Sequence, residues 1–138
     1  MLTRADLQKL AQLRLDDAIL LHQAGRASSA YYLAGYAIEL SLKASISKLV
    51  LPNTLPEKGF VDAIYTHKLD SLLATAGLTV TFKEACANDH QLAAFWGVSS
   101  QWREASRYEF WDPASSAAML LAVGEPNHGV FQWVKLHW

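Results

Sequence analysis

From Arg26 to about Val50 the chain contains neither proline nor a cluster of turn-forming residues, and an uninterrupted run of that length constrains the fold to a long helix. Apolar side chains occur on more than one of its faces, so the helix is expected to lie centrally, with other helices around it. Ala30, Ala34, Ala37, Ser41 and Ala44 recur at steps of four, three, four and three, a ridge low enough for a neighbouring helix to approach closely. Leu33, Ile38, Leu40 and Leu42 supply bulk beside it, and the single Gly35 is expected to cost this helix little.

The flanking segments supply the partners. Thr3, with Asp6 three residues on, predicts a capped helix whose stripe is Leu7, Ala11, Leu15 and Ala18 and whose end is Gly25. Leu51 to Gly59 holds two prolines and a glycine and reads as a connecting loop. Thr66 is expected to cap a short helix carrying Leu69, Leu72, Leu73 and Ala76, closed by Gly77. Leu78 to Thr81 reads as a brief extended link, followed by a short turn from Phe82 to Ala85. Asn88 or Asp89 then caps a helix expected to run from Leu92 through Arg107. Asp112-Pro113 restarts a helix over Ala114 to Val123, interrupted near Gly124-Glu125-Pro126, and Gly129 to Trp138 adds a last turn or two with Val130, Phe131 and Val134 inward. The expectation is an all-α fold, an antiparallel up-and-down bundle of about five helices, forming one domain over residues 1–138.

Composition narrows the function classes. Hydrophobic residues make up 51% of the chain and charged residues 18%, which suits a packed helical core with apolar surface left for a partner. The formal net charge of -1 supplies no overall positive field toward nucleic acid or anionic lipid, so any nucleic-acid site must be local. A single cysteine, Cys86, excludes an internal disulfide and fits a reducing cytoplasm, where a buried thiol is its simplest role. The amino terminus lacks the apolar core of a signal peptide and no uncharged stretch reaches about 18 apolar residues, so the expectation is a cytoplasmic chain with no membrane partner.

Three segments taken together are the most specific signal: Tyr31-Tyr32-Leu33-Ala34-Gly35-Tyr36-Ala37-Ile38-Glu39-Leu40-Ser41-Leu42-Lys43-Ala44, His67-Lys68-Leu69-Asp70-Ser71-Leu72-Leu73, and Trp102-Arg103-Glu104-Ala105-Ser106-Arg107-Tyr108. In order and separation this combination resembles the HEPN (higher eukaryotes and prokaryotes nucleotide-binding) family. The resemblance implies a bundle of about five helices, often dimeric, in a family of RNA-cleaving toxins, partners of minimal nucleotidyltransferases, and noncatalytic nucleotide- or RNA-binding members. Its ribonuclease members carry an Arg followed after four to six residues by a His. Here the positions at that distance from Arg103 hold Tyr108, Glu109 and Phe110, and those from Arg107 hold Asp112, Pro113 and Ala114. Arg4, Arg14 and Arg26 also lack the histidine, His22 lying eight positions after Arg14.

Arg103 and Arg107, one helical turn apart on the expected helix, would form a small anion site for phosphate or RNA backbone, with Trp102 and Tyr108 for stacking. The competing reading has Glu104 and Glu109 neutralise the arginines while Trp102 and Tyr108 anchor the core or an interface. Glu39 and Lys43 have the preferred spacing for a helix ion pair, and their apolar neighbours suggest a semi-buried pair holding Arg103 and Arg107 in register. His67 is expected to orient a loop or helix start. His67, His90, His128, His137 and Cys86 show no metal-ligand spacing, and there is no glycine-rich phosphate loop, so neither metal nor cofactor is expected. The leading expectation is a noncatalytic homodimeric module binding a protein partner, a nucleotide or RNA. The alternatives are an RNA-cleaving toxin or defence component with a divergent site, and a purely structural subunit of a larger assembly.

Overall fold

Thr3 and Asp6 bond reciprocally, Asp6 N–H donating to Thr3 Oγ1 at 3.1 Å and Thr3 N–H to Asp6 Oδ2 at 2.9 Å, and this capping box starts α1, Arg4–Gln23. The computed structural model describes every residue from Met1 to Trp138. Leu7, Ala11, Leu15 and Ala18 form the buried stripe of α1, as their spacing predicts. Gly25 closes it at a φ of 76°, a left-handed geometry that glycine adopts without a Cβ penalty. The N–H groups of Gly25 and Arg26 then reach back to the carbonyls of His22 and Leu21.

The long run becomes α2, Ala27–Ser47, slightly shorter at both ends than the sequence pattern suggests. It packs extensively on α1 and also meets three later helices and the 3-10 turn, so it holds the central position expected. Ala30, Ala34, Ala37, Ser41 and Ala44 are all fully buried, and the small ridge lies within the core rather than at a surface.

The remaining helices are α3, Lys58–Ile64; α4, Leu69–Thr75; α5, Thr79–Asn88; α6, His90–Ser99; α7, Pro113–Gly124; and α8, Val130–Lys135, with a 3-10 turn at Glu104–Tyr108 and no strand. The chain is thus all-helical, but with eight α-helices where about five were expected. Two unexpected helices raise the count, and a third difference shortens an expected one. The expected loop yields α3, because Pro56 precedes the helix rather than interrupting it, Gly59 sits with open space around it, and Lys58 pairs with Asp62 one turn on. The expected extended link is the start of α5: burial of Phe82, set edge-on against Trp96 and Trp133 at 5.0 and 4.8 Å between centroids, outweighs the β-branched Thr79, Val80 and Thr81. The helix expected to reach Arg107 stops at Ser99.

That stop is explained by Trp102, which turns inward, is 2% exposed, and donates its indole N–H to Tyr32 O at 3.0 Å. Its ring lies directly over Gly35, where an added Cβ would come within 2.2 Å of it. Gly35 is therefore a packing requirement and not a cheap passenger. Thr66 does not cap α4 either; Lys68 occupies the cap position, and Thr66 Oγ1 accepts from Lys68 N–H at 3.3 Å. Gly77, at a φ of 72°, ends α4 by the same left-handed geometry as Gly25.

Asp89 caps α6, its Oδ1 accepting from Gln91 and Leu92 N–H, and Asp112 caps α7 with Pro113 at its first position. Val130, Phe131 and Val134 of α8 are buried as expected. No helix is long and apolar enough to cross a membrane.

Gly35→Ala is expected to destabilise the fold by about 1–3 kcal/mol through overpacking against Trp102. A Trp102→Leu background should reduce that penalty, and urea midpoints of the four chains in this double-mutant cycle measure the coupling.

Candidate functional site

Glu39 is the largest electrostatic commitment in the core: a carboxylate on α2 only 1% exposed. A buried charge is tolerated when partners replace its water. Lys43, one turn along α2, supplies one at 2.8 Å to Oε1. His67, from the segment between α3 and α4, supplies another, its Nδ1 lying 3.0 and 3.1 Å from the two carboxylate oxygens. A carboxylate only accepts, so the proton of this bond sits on Nδ1 and the imidazole is fixed in orientation. Its Nε2 lies 3.4 Å from Glu104 Oε2, and Glu104 Oε1 lies 3.0 Å from Arg107 Nη1. Lys43, Glu39, His67, Glu104 and Arg107 thus form one continuous polar chain from the central helix to the 3-10 turn.

Beside this chain opens a cavity of about 710 Å³, lined on one side by Tyr65 to Asp70 and on the other by Trp96, Ser100 and Trp102 to Ala105. Lys68 lines it without any acidic partner. Arg103, with a side chain 70% exposed, pairs with Glu109 at 3.1 Å. Tyr65 projects an 80%-exposed ring at the same rim.

The structure brings His67, Arg103 and Trp102 to this cavity and sets Glu39 and Lys43 behind it, but two expectations about the arginines change. Arg103 and Arg107 do not share a helical face. Arg103 is extended, with φ −137° and ψ 156°, and Arg107 lies in the 3-10 turn and borders a separate hollow of about 360 Å³ with Ser28, Ser29 and Tyr32. Each arginine is already paired with a glutamate, the arrangement of the competing reading. Trp102 is consumed by the core and offers no open ring face to a base. Tyr108 is 76% exposed, and its ring lies under the Arg107 guanidinium at 4.8 Å. The cavity residues missed from sequence are Tyr65, Lys68, Asp70, Trp96 and Ser100. Lys68 and Asp70 lie in the His67 segment, yet only the folded loop shows that they share a cavity.

A second ionisable pair lies elsewhere. Asp89 Oδ2 meets His128 Nδ1 at 2.7 Å, tying the loop before α8 to the cap of α6, beside a hollow of about 330 Å³. This hydrogen bond raises the His128 pKa above its ordinary 6.5 and lowers that of Asp89 below 3.8. Cys86 is half-buried, and burial pushes its thiol up, with the Asp89 charge adding to the shift. No group of three or more His, Cys, Asp or Glu residues is placed to hold a metal ion.

Glu39→Ala leaves Lys43 and His67 facing an empty pocket and is expected to cost about 3 kcal/mol, read as a lower denaturation midpoint. The Asp89–His128 bridge has a defined pH window. The raised His128 pKa gives stability fully present below its ordinary 6.5 and lost as pH rises through the raised value, while the lowered Asp89 pKa gives stability present above 3.8 and lost as pH falls through the lowered value. His128→Ala should therefore destabilise the protein more at about pH 5.5 than at about pH 9, and an NMR titration of the native chain should place the His128 midpoint above that of a free histidine.

Comparison with protein-family models, with curated proteins and with solved structures gives no match to this chain.

Proposed function

We propose that the chain is a noncatalytic HEPN-type module that binds a nucleotide or RNA in the cavity beside His67 and works as a homodimer in the cytoplasm, with a minimal nucleotidyltransferase as a candidate protein partner. The observation that carries the binding reading is Lys68, a lining cation with no acidic partner, in the same cavity as Arg103 and the rings of Tyr65 and Trp96. Cations for phosphate and aromatic surface for a base are the two groups a nucleotide needs, and the cavity volume falls within the usual range of small-ligand sites. The HEPN resemblance supports the same reading and the dimeric state.

A second reading, RNA cleavage, is favoured by one observation: the folded chain sets His67 near Arg103 and Arg107, a proximity that the spacing of arginine and histidine in sequence does not provide. Glu39 orients His67 as a buried acid orients a catalytic histidine, so Nε2 would take the proton of a ribose hydroxyl attacking phosphorus while an arginine steadies the phosphate. Glu104, 3.4 Å from Nε2, occupies the place that hydroxyl would need, and binding therefore ranks first.

Titration calorimetry with mononucleotides and short RNAs tests the proposal. Lys68→Ala and Arg103→Ala are each expected to weaken binding about tenfold. Labelled RNA cut by the native chain but not by His67→Ala would replace the binding reading with the catalytic one. Light scattering that finds only monomer would remove the homodimer.

A further inference from the structure

We infer that the cavity selects a terminal phosphomonoester, as carried by a nucleoside monophosphate or by the phosphorylated end of an RNA, over an internal phosphodiester. The inference rests on the nucleotide-binding reading above and names which phosphate it concerns.

The charges at the cavity carry the argument. Its lining holds two fixed cations, Lys68 and Arg103, and two carboxylates, Asp70 and Glu104, so the cavity has no net fixed charge to draw in a polyanion. The whole chain, at a formal -1, adds no field to help. A phosphate must therefore bind by local contact. Arg103 is held by Glu109, and an incoming phosphate has to displace that carboxylate. A phosphodiester carries one negative charge, so on Arg103 it replaces one singly charged acceptor with another. Exposed ion pairs are worth little, and an exchange of equals is worth less.

A terminal phosphate differs in two respects. It carries a charge of about −1.5 to −2 near pH 7 and presents three strong acceptor oxygens. With these it can take the Arg103 fork through two oxygens and still offer a third, with surplus charge, to Lys68, which has no intramolecular anion to give up. Glu104 does not make the distinction. Paired with Arg107, it stays in the wall as a negative charge that opposes either phosphate, so the preference has to come from Lys68. Lys68 is thus the residue that separates the two phosphate classes, and Arg103 serves both.

Calorimetry at about pH 7.5, where a monoester is mostly dianionic, tests this with four probes: a nucleoside monophosphate, its methyl diester, a trinucleotide phosphorylated at its end, and the same trinucleotide with a free hydroxyl there. The phosphomonoester of at least one pair is expected to bind about tenfold or more tightly than its partner, and which pair shows the preference identifies whether the source is a free nucleotide or an RNA end. Lys68→Ala should bring monoester affinity down to that of the diester, and Lys68→Arg should restore the preference. Lys68 is exposed, so the variants should keep the native circular dichroism. Equal affinity within both pairs overturns the inference and leaves the binding reading intact. No binding by any probe removes both. A preference that persists in Lys68→Ala also overturns the inference, because the selecting cation would then be another group.

Discussion

The site depends on a charge that the fold has put where water cannot reach it. Glu39 lies on the helix that the rest of the chain wraps, and its carboxylate persists there only with positive or hydrogen-bond-donating partners at contact distance. Lys43 comes free with the helix, one turn away. His67 does not; it must be delivered by the segment between α3 and α4, and this fixes the path of that segment across α2. With His67 fixed, its outer nitrogen lies beside Glu104, which in turn pairs with Arg107, so groups from three separate parts of the sequence meet around one buried acid.

How much of this was legible in the sequence follows from the range of each signal. Most local patterns held: Thr3 with Asp6, Asp89, Asp112-Pro113 and the glycines at 25 and 77 mark helix ends where the chain has them, and only Thr66, two residues early, is not the cap it resembled. The buried stripe of α1 and the small-residue ridge of α2 were likewise readable, because both express a period of the helix itself. Signals failed where a distant residue decided the outcome. Thr79, Val80 and Thr81 have the composition of a strand, but Phe82 finds two tryptophans across the core and the segment coils to bury it.

The arginines illustrate the same limit at the site. Spacing alone put Arg103 and Arg107 on one helical face, an inference valid only while the helix continued. Trp102 ended it by turning inward against Gly35, two residues nearly seventy positions apart in sequence. Glu39, Lys43 and His67 could be singled out as polar residues in apolar or junction settings, but their convergence with Glu104 is a property of the folded chain. Tyr65 carried no pattern, and Lys68 stood within the His67 segment with nothing to mark it as a cavity residue, since cavity membership leaves no periodic trace in a loop.

The seam between α1 and α2 has a further consequence. These helices are consecutive, joined by the short Gly25 turn, and packed extensively on one another, so their contacts are local in the chain and cheap in loop entropy. The cavity walls are remote segments laid onto that hairpin: a loop near residue 67 and a 3-10 turn near residue 104. Such a layout hangs each wall from the hairpin by one anchor: His67 against the buried Glu39, and Trp102 over Gly35. A ligand that bridges both walls would therefore join two segments that are otherwise linked mainly through α2, and so act as a clasp between them.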